Sequence, residues 1–322
     1  MENYQFNTPV VLFFFIREES TMKVLDQIRI AKPKKLYLVG EGHRPNKPGE
    51  KERVETLRQL VESRIDWDCE VFKNYVTEDI GAGRRISSGI SWVFETENRA
   101  IFLEDDIIAS QSFFRYCQEM LDYYEHDNRV MAISGSNPVP KFEFDGDYTF
   151  SNVAHIWGWA TWKRAWENYD FEMKEWPYYK KNELLKASFR NKVFYEFRCD
   201  EFDLAYEGIS TTWDYQFSFH LLKNSGLAVV PKINMISNVG IGPNATNTKS
   251  KKEYIFGTIN EIEFPIQFKD EVFYDDAFDN YYFKKFLFKS YYSNPWFRFK
   301  YRLKKILPKR FVISLKKFLG RK

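Results

Sequence analysis

Three consecutive carboxylates directly after a short apolar run are the residues of this chain best suited to chemistry. Residues 100–103 have the length and composition of a buried strand, and Glu104, Asp105 and Asp106 follow them. Because an apolar interior cannot hold unpaired carboxylates, the acids belong at the strand's carboxyl end, in a cleft or facing water. Carboxylate oxygens suit a hard divalent cation, Mg²⁺ or Mn²⁺, but short acidic runs are also common in solvated surface loops. The spacing alone favours neither interpretation.

Two basic residues are candidates for binding an anion. Arg17 directly follows the apolar run of residues 10–16, and its planar guanidinium suits a phosphate or a base; a surface arginine paired with a neighbouring glutamate is the alternative. The glycine-rich residues 81–85 precede a predicted helix, whose N-terminus favours negative charge. Since a plain turn explains these glycines nearly as well, only Arg85 is kept as a candidate.

The segments that position these residues alternate between strand-like and helix-like patterns. This alternation predicts an α/β fold with a mostly parallel sheet, helices on both faces and right-handed crossovers. Ligands bind beyond the carboxyl ends of the strands in such sheets, so Arg17 and the acidic triplet are expected at one edge. The predicted strands are residues 10–16, 35–39, 68–75, 100–103 and 130–134, and the predicted helices are residues 21–31, 50–63, 85–94 and 110–124.

The composition is that of a folded globular protein without a disulfide framework. The chain has 322 residues, of which 44% are hydrophobic, 29% charged and 19% aromatic, enough for one large domain or two. Its three cysteines are widely spaced and form no C-x-x-C pair, which argues against a zinc site and favours a reducing compartment. Residues 10–16 are too short to span a bilayer and follow no basic segment, so they indicate a core strand rather than a signal peptide.

The last part of the chain differs in charge from the rest. Residues 281–322 contain fourteen lysines and arginines and no aspartate or glutamate, so the net charge of +3 conceals an acidic body. Apolar residues recur there at helical spacing, with basic residues between them, as in helices that lie in the interface of an anionic membrane. Binding of nucleic acid or docking on a partner protein would use the same charges, but aromatic residues on one face favour the membrane. The recurring apolar residues are Phe299, Leu303, Ile306 and Leu307, then Phe311, Leu315, Phe318 and Leu319.

Five motifs between about residues 9 and 248 carry a resemblance to a known family. They are Phe102-Leu103-Glu104-Asp105-Asp106, Ser112-Phe113-Phe114, Ile133-Ser134-Gly135, Trp157-Gly158-Trp159-Ala160-Thr161-Trp162 and Thr212-Trp213-Asp214. In this order they resemble the bacterial HlpA-like nucleotide-diphospho-sugar transferases, which are similar to eukaryotic N-acetylglucosaminyltransferase I and share its GT-A fold. The resemblance implies a metal-dependent glycosyltransferase and does not imply a particular sugar.

The resemblance also implies roles for the acidic triplet and for a later acid. By similarity to the D-x-D-like triplet of the family, Asp106 is the direct ligand of Mn²⁺ or Mg²⁺, and Glu104 and Asp105 contact the ribose, the donor sugar or metal-bound water. Asp214 resembles the acid of the family's Trp-Asp motif and is the expected catalytic base of an inverting transfer. The alternative for Asp214 is a charge that the helix dipole stabilises. The related eukaryotic motif has two adjacent acids where this chain has Asp214 and Tyr215.

Further binding residues follow from the same resemblance. Arg17 matches an arginine near the nucleotide, and Glu41 stands where the family usually has an aspartate that can accept a hydrogen bond from the nucleotide. Trp157 and Trp159 lie in a turn that the family places beside the donor, so either of them is a candidate floor for the sugar. The i, i+3, i+7 spacing of Trp159, Trp162 and Trp166 also predicts one face of a helix, and most of these rings are expected in the core.

Together these observations predict a GT-A-like catalytic domain over residues 1–257, with a nucleotide-sugar half to about residue 135 and an acceptor half from 136. An acidic linker over residues 258–280 and a basic amphipathic tail over 281–322 follow. We expect a glycosyltransferase that is a peripheral protein on the cytoplasmic face of the cell membrane. Its expected donor is a nucleotide-diphosphate sugar, with a UDP-sugar as the first guess, and its expected acceptor is a lipid-linked saccharide of a bacterial surface glycan. No nucleic-acid partner is expected. The alternatives are a metal-dependent sugar nucleotidyltransferase and a non-catalytic membrane-bound glycan-binding protein.

Overall fold

One eight-stranded sheet forms the centre of the protein. The computed structural model describes residues 5–240 and 259–288. β1 shows why the sheet forms there, since all five of its residues are apolar and all are buried, as expected for a strand with neighbours on both sides. The strands are β1 (Val10–Phe14), β2 (Lys35–Gly40), β3 (Glu70–Tyr75), β4 (Arg99–Glu104), β5 (Ile107–Ala109), β6 (Val130–Ser134), β7 (Tyr148–Ser151), β8 (Trp159–Trp162), β9 (Leu227–Pro231) and β10 (Ile236–Asn238).

The order of the strands places the ends of β1, β2 and β4 side by side. The large sheet has the order β3-β2-β1-β4-β8-β6-β9-β7, and β5 pairs with β10 in a separate two-stranded sheet. Six of the eight strands run in one direction, while β8 and β7 run against their neighbours. The predicted α/β fold with a mostly parallel sheet is therefore confirmed.

Helices with one apolar face flank this sheet. In α1, Val24, Leu25 and Ile28 are buried at helical spacing, and the first turn carries two glutamates that complement the helix dipole. The helices are α1 (Glu18–Ala31), α2 (Glu50–Ser63), α3 (Ala82–Val93), α4 (Gln111–Tyr123), α5 (Lys163–Trp166), α6 (Trp176–Lys181), α7 (Lys192–Tyr206), α8 (Asp214–Lys223) and α9 (Asp276–Tyr282), and a π-helical segment, Phe283–Phe288, continues α9.

The tryptophan-rich segment differs from its prediction. Trp159 and Trp162 lie on strand β8, and only Trp166 lies on the short helix α5, so the predicted single helical face is wrong. The spacing of the tryptophans is helical, but β8 is inserted between β4 and β6, where the sheet supplies hydrogen-bond partners on both sides. Pairing with neighbouring strands overrides the local pattern in this segment.

Residues 259–288, which include most of the predicted acidic linker, pack against the body. Ile262 and Ile266 are buried in the main core, and Phe278 is buried beside Val139 and Val230. Asp279 accepts hydrogen bonds from Ser151 and from the backbone N–H of Asn152. The predicted domain boundaries are not tested by these contacts and stay a prediction.

Most of the predicted amphipathic tail, residues 289–322, lies outside the described residues. Within the ranges 5–240 and 259–288, no helix has the length and apolar character needed to cross a bilayer.

Candidate active site

A single cleft of about 1620 Å³ brings together most of the candidate residues. It opens at the carboxyl ends of β1, β2 and β4 and extends to the first residues of α3 and α8. This is the edge at which an open α/β sheet is expected to bind a ligand. Its lining includes Arg17, Glu41, Arg85, Glu104, Asp105, Asp106, Trp157 and Asp214.

The acidic triplet lies at the floor of this cleft, where β4 ends and the chain turns into β5. The guanidinium of Arg17 holds two of the three acids together: its Nη1 lies 2.5 Å from Asp106 Oδ2 and 3.2 Å from Asp105 Oδ1. Asp105 also accepts a hydrogen bond from the backbone N–H of Phe15. The side chains of Asp105 and Asp106 are only 11% and 14% exposed, so these carboxylates are largely desolvated.

The charges of the cleft floor do not balance. Burial raises the pKa of Glu104 to about 8, and the nearby carboxylates of Asp106, Asp105 and Asp214 add to that rise, while Arg17 opposes it. Burial likewise raises the pKa of Asp105 to about 7, against the attraction of Arg17. Four acids therefore face one arginine in a poorly hydrated place, so that a further positive charge would be stabilised there.

The donor set fits a divalent cation in its chemistry. In the described part of the chain, no three histidine, cysteine, aspartate or glutamate side chains surround a point that could hold a metal ion. Mg²⁺ and related ions, however, often take only one or two protein carboxylates and complete their coordination with water and substrate phosphates. The Asp106 carboxylate already accepts a positively charged group, the Arg17 guanidinium, at the place where an ion would bind.

Asp214 lies on the other side of the cleft, at the first residue of α8. Burial raises the pKa of Asp214, whereas a hydrogen bond from Thr212 and the charge of Arg198 act against the rise. A carboxylate whose pKa is raised takes up a proton more readily than one in water. Asp214 therefore has the environment expected of a general base.

A second acid behind Asp214 was missed from the sequence. Glu201 on α7 accepts a hydrogen bond from Arg198 Nη1 at 2.7 Å, and both side chains are buried. Burial raises the pKa of Glu201 to about 7, and Tyr215, which lines the cleft, hydrogen-bonds to Glu201. No short motif links Glu201 to Asp214, because only the packing of α7 against α8 brings them together.

Glu41 and Arg85 lie in the arm of the cleft beyond β2. Glu41 Oε1 accepts hydrogen bonds from the backbone N–H groups of Gly42 and Ile80, while its buried Oε2 has no partner within the described ranges. Burial raises the pKa of Glu41. The Arg85 guanidinium donates to the carbonyl oxygen of Gly40 and to Asn74, so part of its role is to tie the ends of β2 and β3 together.

Two glycines allow chain segments to meet at the cleft. A Cβ on Gly83, in the first turn of α3, would lie 2.3 Å from the carbonyl oxygen of Thr211, three residues before Asp214. A Cβ on Gly240 would lie 1.9 Å from Asp106 Oδ2. Side chains at either place would overlap their neighbours, so these positions require glycine for close approach.

The two candidate tryptophans have different surroundings. Trp157 lines the cleft. Trp159 is 3% exposed and stacks between Phe102 and Trp213, with ring centroids 5.1 and 5.4 Å apart. The structure therefore brings Trp157 to the site and places Trp159 in the core beneath it.

Comparisons with known proteins give only distant structural likenesses. No family model matches the chain, and no curated protein matches its sequence. A mannosyltransferase from Pyrobaculum calidifontis, solved with GDP-mannose and Mn²⁺, is 14% identical over 49% of this chain and 45% of its own, with a TM-score of 0.34. HddC from Yersinia pseudotuberculosis is 11% identical over 53% and 85% of the two chains, with a TM-score of 0.32.

A third structure has a similar degree of likeness. The 4-diphosphocytidyl-2C-methyl-D-erythritol synthase from Anaerococcus prevotii is 9% identical over 50% of this chain and 73% of its own, with a TM-score of 0.30. The match to the mannosyltransferase spans less than half of that enzyme. Likenesses this distant say nothing about the reaction of this chain.

Proposed function

We propose that this protein is a metal-dependent glycosyltransferase that moves a sugar from a nucleotide-diphosphate sugar to a hydroxyl of a saccharide. A UDP-sugar is the first donor to test. The observation that carries the proposal is one cleft lined by a largely desolvated acidic triplet, by Arg17 and by a half-buried aspartate, Asp214. A nucleotide-sugar donor needs positive charge beside its diphosphate and a base beside the acceptor. The cleft offers groups suited to both.

Asp214 is the base of this proposal. As the acceptor oxygen forms its bond to the anomeric carbon, the proton of that hydroxyl passes to the Asp214 carboxylate. The bond between the anomeric carbon and the diphosphate oxygen breaks, and the nucleoside diphosphate leaves with that electron pair. Attack from the side opposite the leaving group inverts the anomeric configuration.

In this proposal the acidic triplet and Arg17 bind the diphosphate of the donor on one side of the cleft. Asp106 would hold Mn²⁺ or Mg²⁺, with Glu104 and Asp105 beside it, and such an ion would neutralise the negative charge that grows on the leaving diphosphate. Arg17 is near enough to pair with a phosphate oxygen, since its side chain is 34% exposed at the wall of the cleft. Trp157 offers an aromatic face for the donor sugar.

Glu41 is the nucleotide-recognition residue of the proposal. Its Oε1 is fixed by two backbone N–H groups, and its Oε2 is buried without a partner among the described residues. An unpaired buried carboxylate oxygen is costly, and a base or ribose that donates to it would remove the cost. The uracil N–H is such a donor, which is consistent with UDP as the first donor to test.

The acceptor in this proposal is a lipid-linked saccharide of a bacterial surface glycan. The support is the sequence of residues 281–322, whose basic and aromatic residues suit an anionic membrane, with about 1 kcal/mol for each lysine or arginine near the surface. The enzyme would then act as a peripheral protein on the cytoplasmic face of the membrane. Full-length protein should bind vesicles that contain phosphatidylglycerol but not vesicles of phosphatidylcholine, and the double substitution Lys316→Glu and Lys317→Glu should weaken that binding. Equal binding to both vesicles would refute the membrane proposal.

The test of the reaction measures its leaving group. Full-length protein is incubated with a panel of nucleotide sugars, Mn²⁺ and a saccharide acceptor, and the nucleoside diphosphate released is measured. Release should require the metal and should fall at least about 100-fold in Asp106→Ala and in Asp214→Asn, on the scale typical of lost general-base catalysis. Asp66→Ala is the matched control, because Asp66 is an exposed partner of Arg29 far along the surface.

The same assay separates the alternatives. A sugar nucleotidyltransferase would consume a nucleoside triphosphate and a sugar phosphate and release pyrophosphate. A glycan-binding protein would release neither product, and binding of glycan would survive Asp106→Ala. Undiminished release by Asp106→Ala would remove the acidic triplet from the mechanism.

A further inference from the structure

Arg17 forms ion pairs with the two carboxylates that the proposed function assigns to a metal ion. Its Nη1 contacts both Asp106 Oδ2 and Asp105 Oδ1, at 2.5 and 3.2 Å. The side chains of the two acids are far less exposed than that of Arg17, which reaches them from the wall of the cleft. The guanidinium thus lies where an incoming cation would have to bind.

The backbone of Arg17 is fixed, while its side chain has room to move. The carbonyl oxygen of Arg17 accepts a hydrogen bond from the N–H of Thr21 at 3.0 Å and another from Thr21 Oγ1 at 2.6 Å, in the first turn of α1. The guanidinium itself has hydrogen bonds only to Asp105 and Asp106 among the described residues, and one third of the side chain is exposed. A change of side-chain rotamer would release it into the cleft without disturbing α1.

A metal ion and the Arg17 guanidinium would compete for Asp106 Oδ2. An ion on Asp106 Oδ2 would lie within a few ångströms of the guanidinium, and like charges at that distance repel strongly in a desolvated site. Asp106 Oδ2 also lies against the backbone of Gly240, where a Cβ would be only 1.9 Å from it, so this oxygen has no room to move in that direction. An ion on Asp106 Oδ2 and the present contact of Arg17 therefore compete for the same oxygen.

We infer that Arg17 is an exchangeable counter-ion that couples metal binding to donor binding. In the ligand-free protein it pairs with Asp105 and Asp106; when the metal and the diphosphate enter, it leaves the carboxylates and pairs with a phosphate oxygen. Metal alone displaces Arg17 without giving it a new partner, so metal alone binds weakly. The inference rests on the proposed function, since it takes the metal and the diphosphate as the ligands.

A purely structural role for Arg17 predicts the opposite sign. If Arg17 only held the carboxylates in a geometry suited to the metal, its removal would weaken metal binding. If Arg17 competes with the metal, its removal strengthens the binding of metal alone. By reciprocity, the nucleoside diphosphate should raise metal affinity in the unaltered protein by about 10-fold or more, within the range usual for such coupling. Without Arg17 this increase should shrink.

The test measures Mn²⁺ affinity directly. Free Mn²⁺ is followed by its electron paramagnetic resonance signal as full-length protein is titrated, with and without UDP, for the unaltered chain, Arg17→Gln and Arg29→Gln. Arg29→Gln is the matched control, because Arg29 pairs on the surface with Asp66. We expect Arg17→Gln to bind Mn²⁺ alone about 10-fold more tightly than the unaltered protein and to gain less than about 3-fold from UDP, while Arg29→Gln behaves as the unaltered protein.

Each other result has a definite meaning. Equal or weaker binding of Mn²⁺ alone by Arg17→Gln overturns the inference and leaves the proposed function intact, provided that Mn²⁺ binds with UDP. If the unaltered protein binds no Mn²⁺ even with UDP, the proposed metal site fails and the inference fails with it. Should Arg17→Gln not fold, Arg17→Lys serves instead: a lysine keeps the charge but lacks the fork, and Mn²⁺ affinity equal to that of the unaltered protein would count against competition through the guanidinium contacts.

Discussion

Glu104→Gln should stabilise the ligand-free protein at alkaline pH while removing part of its response to a metal ion. The folded environment raises the pKa of Glu104 from its ordinary 4.5 to about 8, chiefly because burial disfavours its charge and because Asp106, Asp105 and Asp214 lie nearby. Arg17 offsets only part of this. An ionised Glu104 therefore costs stability, and a glutamine of the same shape carries no charge to be buried.

The direction of the pH dependence follows from the raised pKa. The folded chain binds the Glu104 proton more tightly than the unfolded chain does, so the contribution of Glu104 to stability is greatest below about pH 4.5 and falls as the pH rises towards 8. At about 1.4 kcal/mol for each pKa unit, the fall between pH 6 and pH 8 is about 2 kcal/mol. The pKa of Asp105 is raised to about 7, so Asp105 also lowers the stability as the pH rises, in the unaltered chain and in Glu104→Gln alike.

The measurement is the free energy of unfolding in urea, followed by tryptophan fluorescence at pH 6 and pH 8 without divalent ions. The stability of Glu104→Gln relative to the unaltered chain should improve by about 2 kcal/mol between these pH values. Added Mn²⁺ should stabilise the unaltered protein at pH 8 more than the variant. Glu95→Gln is the control, since Glu95 is exposed. A difference between the two proteins that does not change with pH would refute the electrostatic reasoning.

Three further substitutions test other parts of the site and its supports. Gly83→Ala places a Cβ 2.3 Å from the Thr211 carbonyl oxygen, so it should cost about 1–3 kcal/mol of unfolding free energy and lower nucleoside diphosphate release by displacing Asp214. Asp279→Ala removes the acceptor of the Ser151 hydroxyl and of the N–H of Asn152 in the interior and should cost about 2–4 kcal/mol in urea unfolding. Trp159→Ala removes a buried ring and should cost about 3–5 kcal/mol, also in urea; a cost under 1 kcal/mol would contradict its place in the core.

The parallel half of the fold could be predicted from the sequence because its strands are local apolar runs. The bounds predicted for the second helix and the fifth strand, residues 50–63 and 130–134, are those of α2 and β6. The position of Arg17 beside the acidic triplet was also predictable, since parallel strands end at the same edge. Local pattern and tertiary structure agree in this half of the chain.

The part of the chain after β6 could be predicted less well, because its structure depends on long-range pairing. The tryptophan spacing of 159–166 is helical, yet β8 takes its conformation from β4 and β6 on either side. Glu201 shows no signal in the sequence, since the side chains that pair with it, Arg198 and Tyr215, come from the same helix and from the next one. Residues whose function depends on packing between helices cannot be found from spacing alone.

The core placement of Trp159 explains how the two sides of the cleft keep a fixed separation. Phe102 lies on β4, two residues before Glu104, and stacks on Trp159, which stacks in turn on Trp213, the residue before Asp214. Trp213 and Trp159 also contact Phe217 on α8. Close-packed rings hold the segments that carry them at fixed distances, because a packed core has little free volume. The proposed transferase would hold its base and its diphosphate site about one sugar apart, and this aromatic column joins the strand that carries the acids to the helix that begins with Asp214, the proposed base.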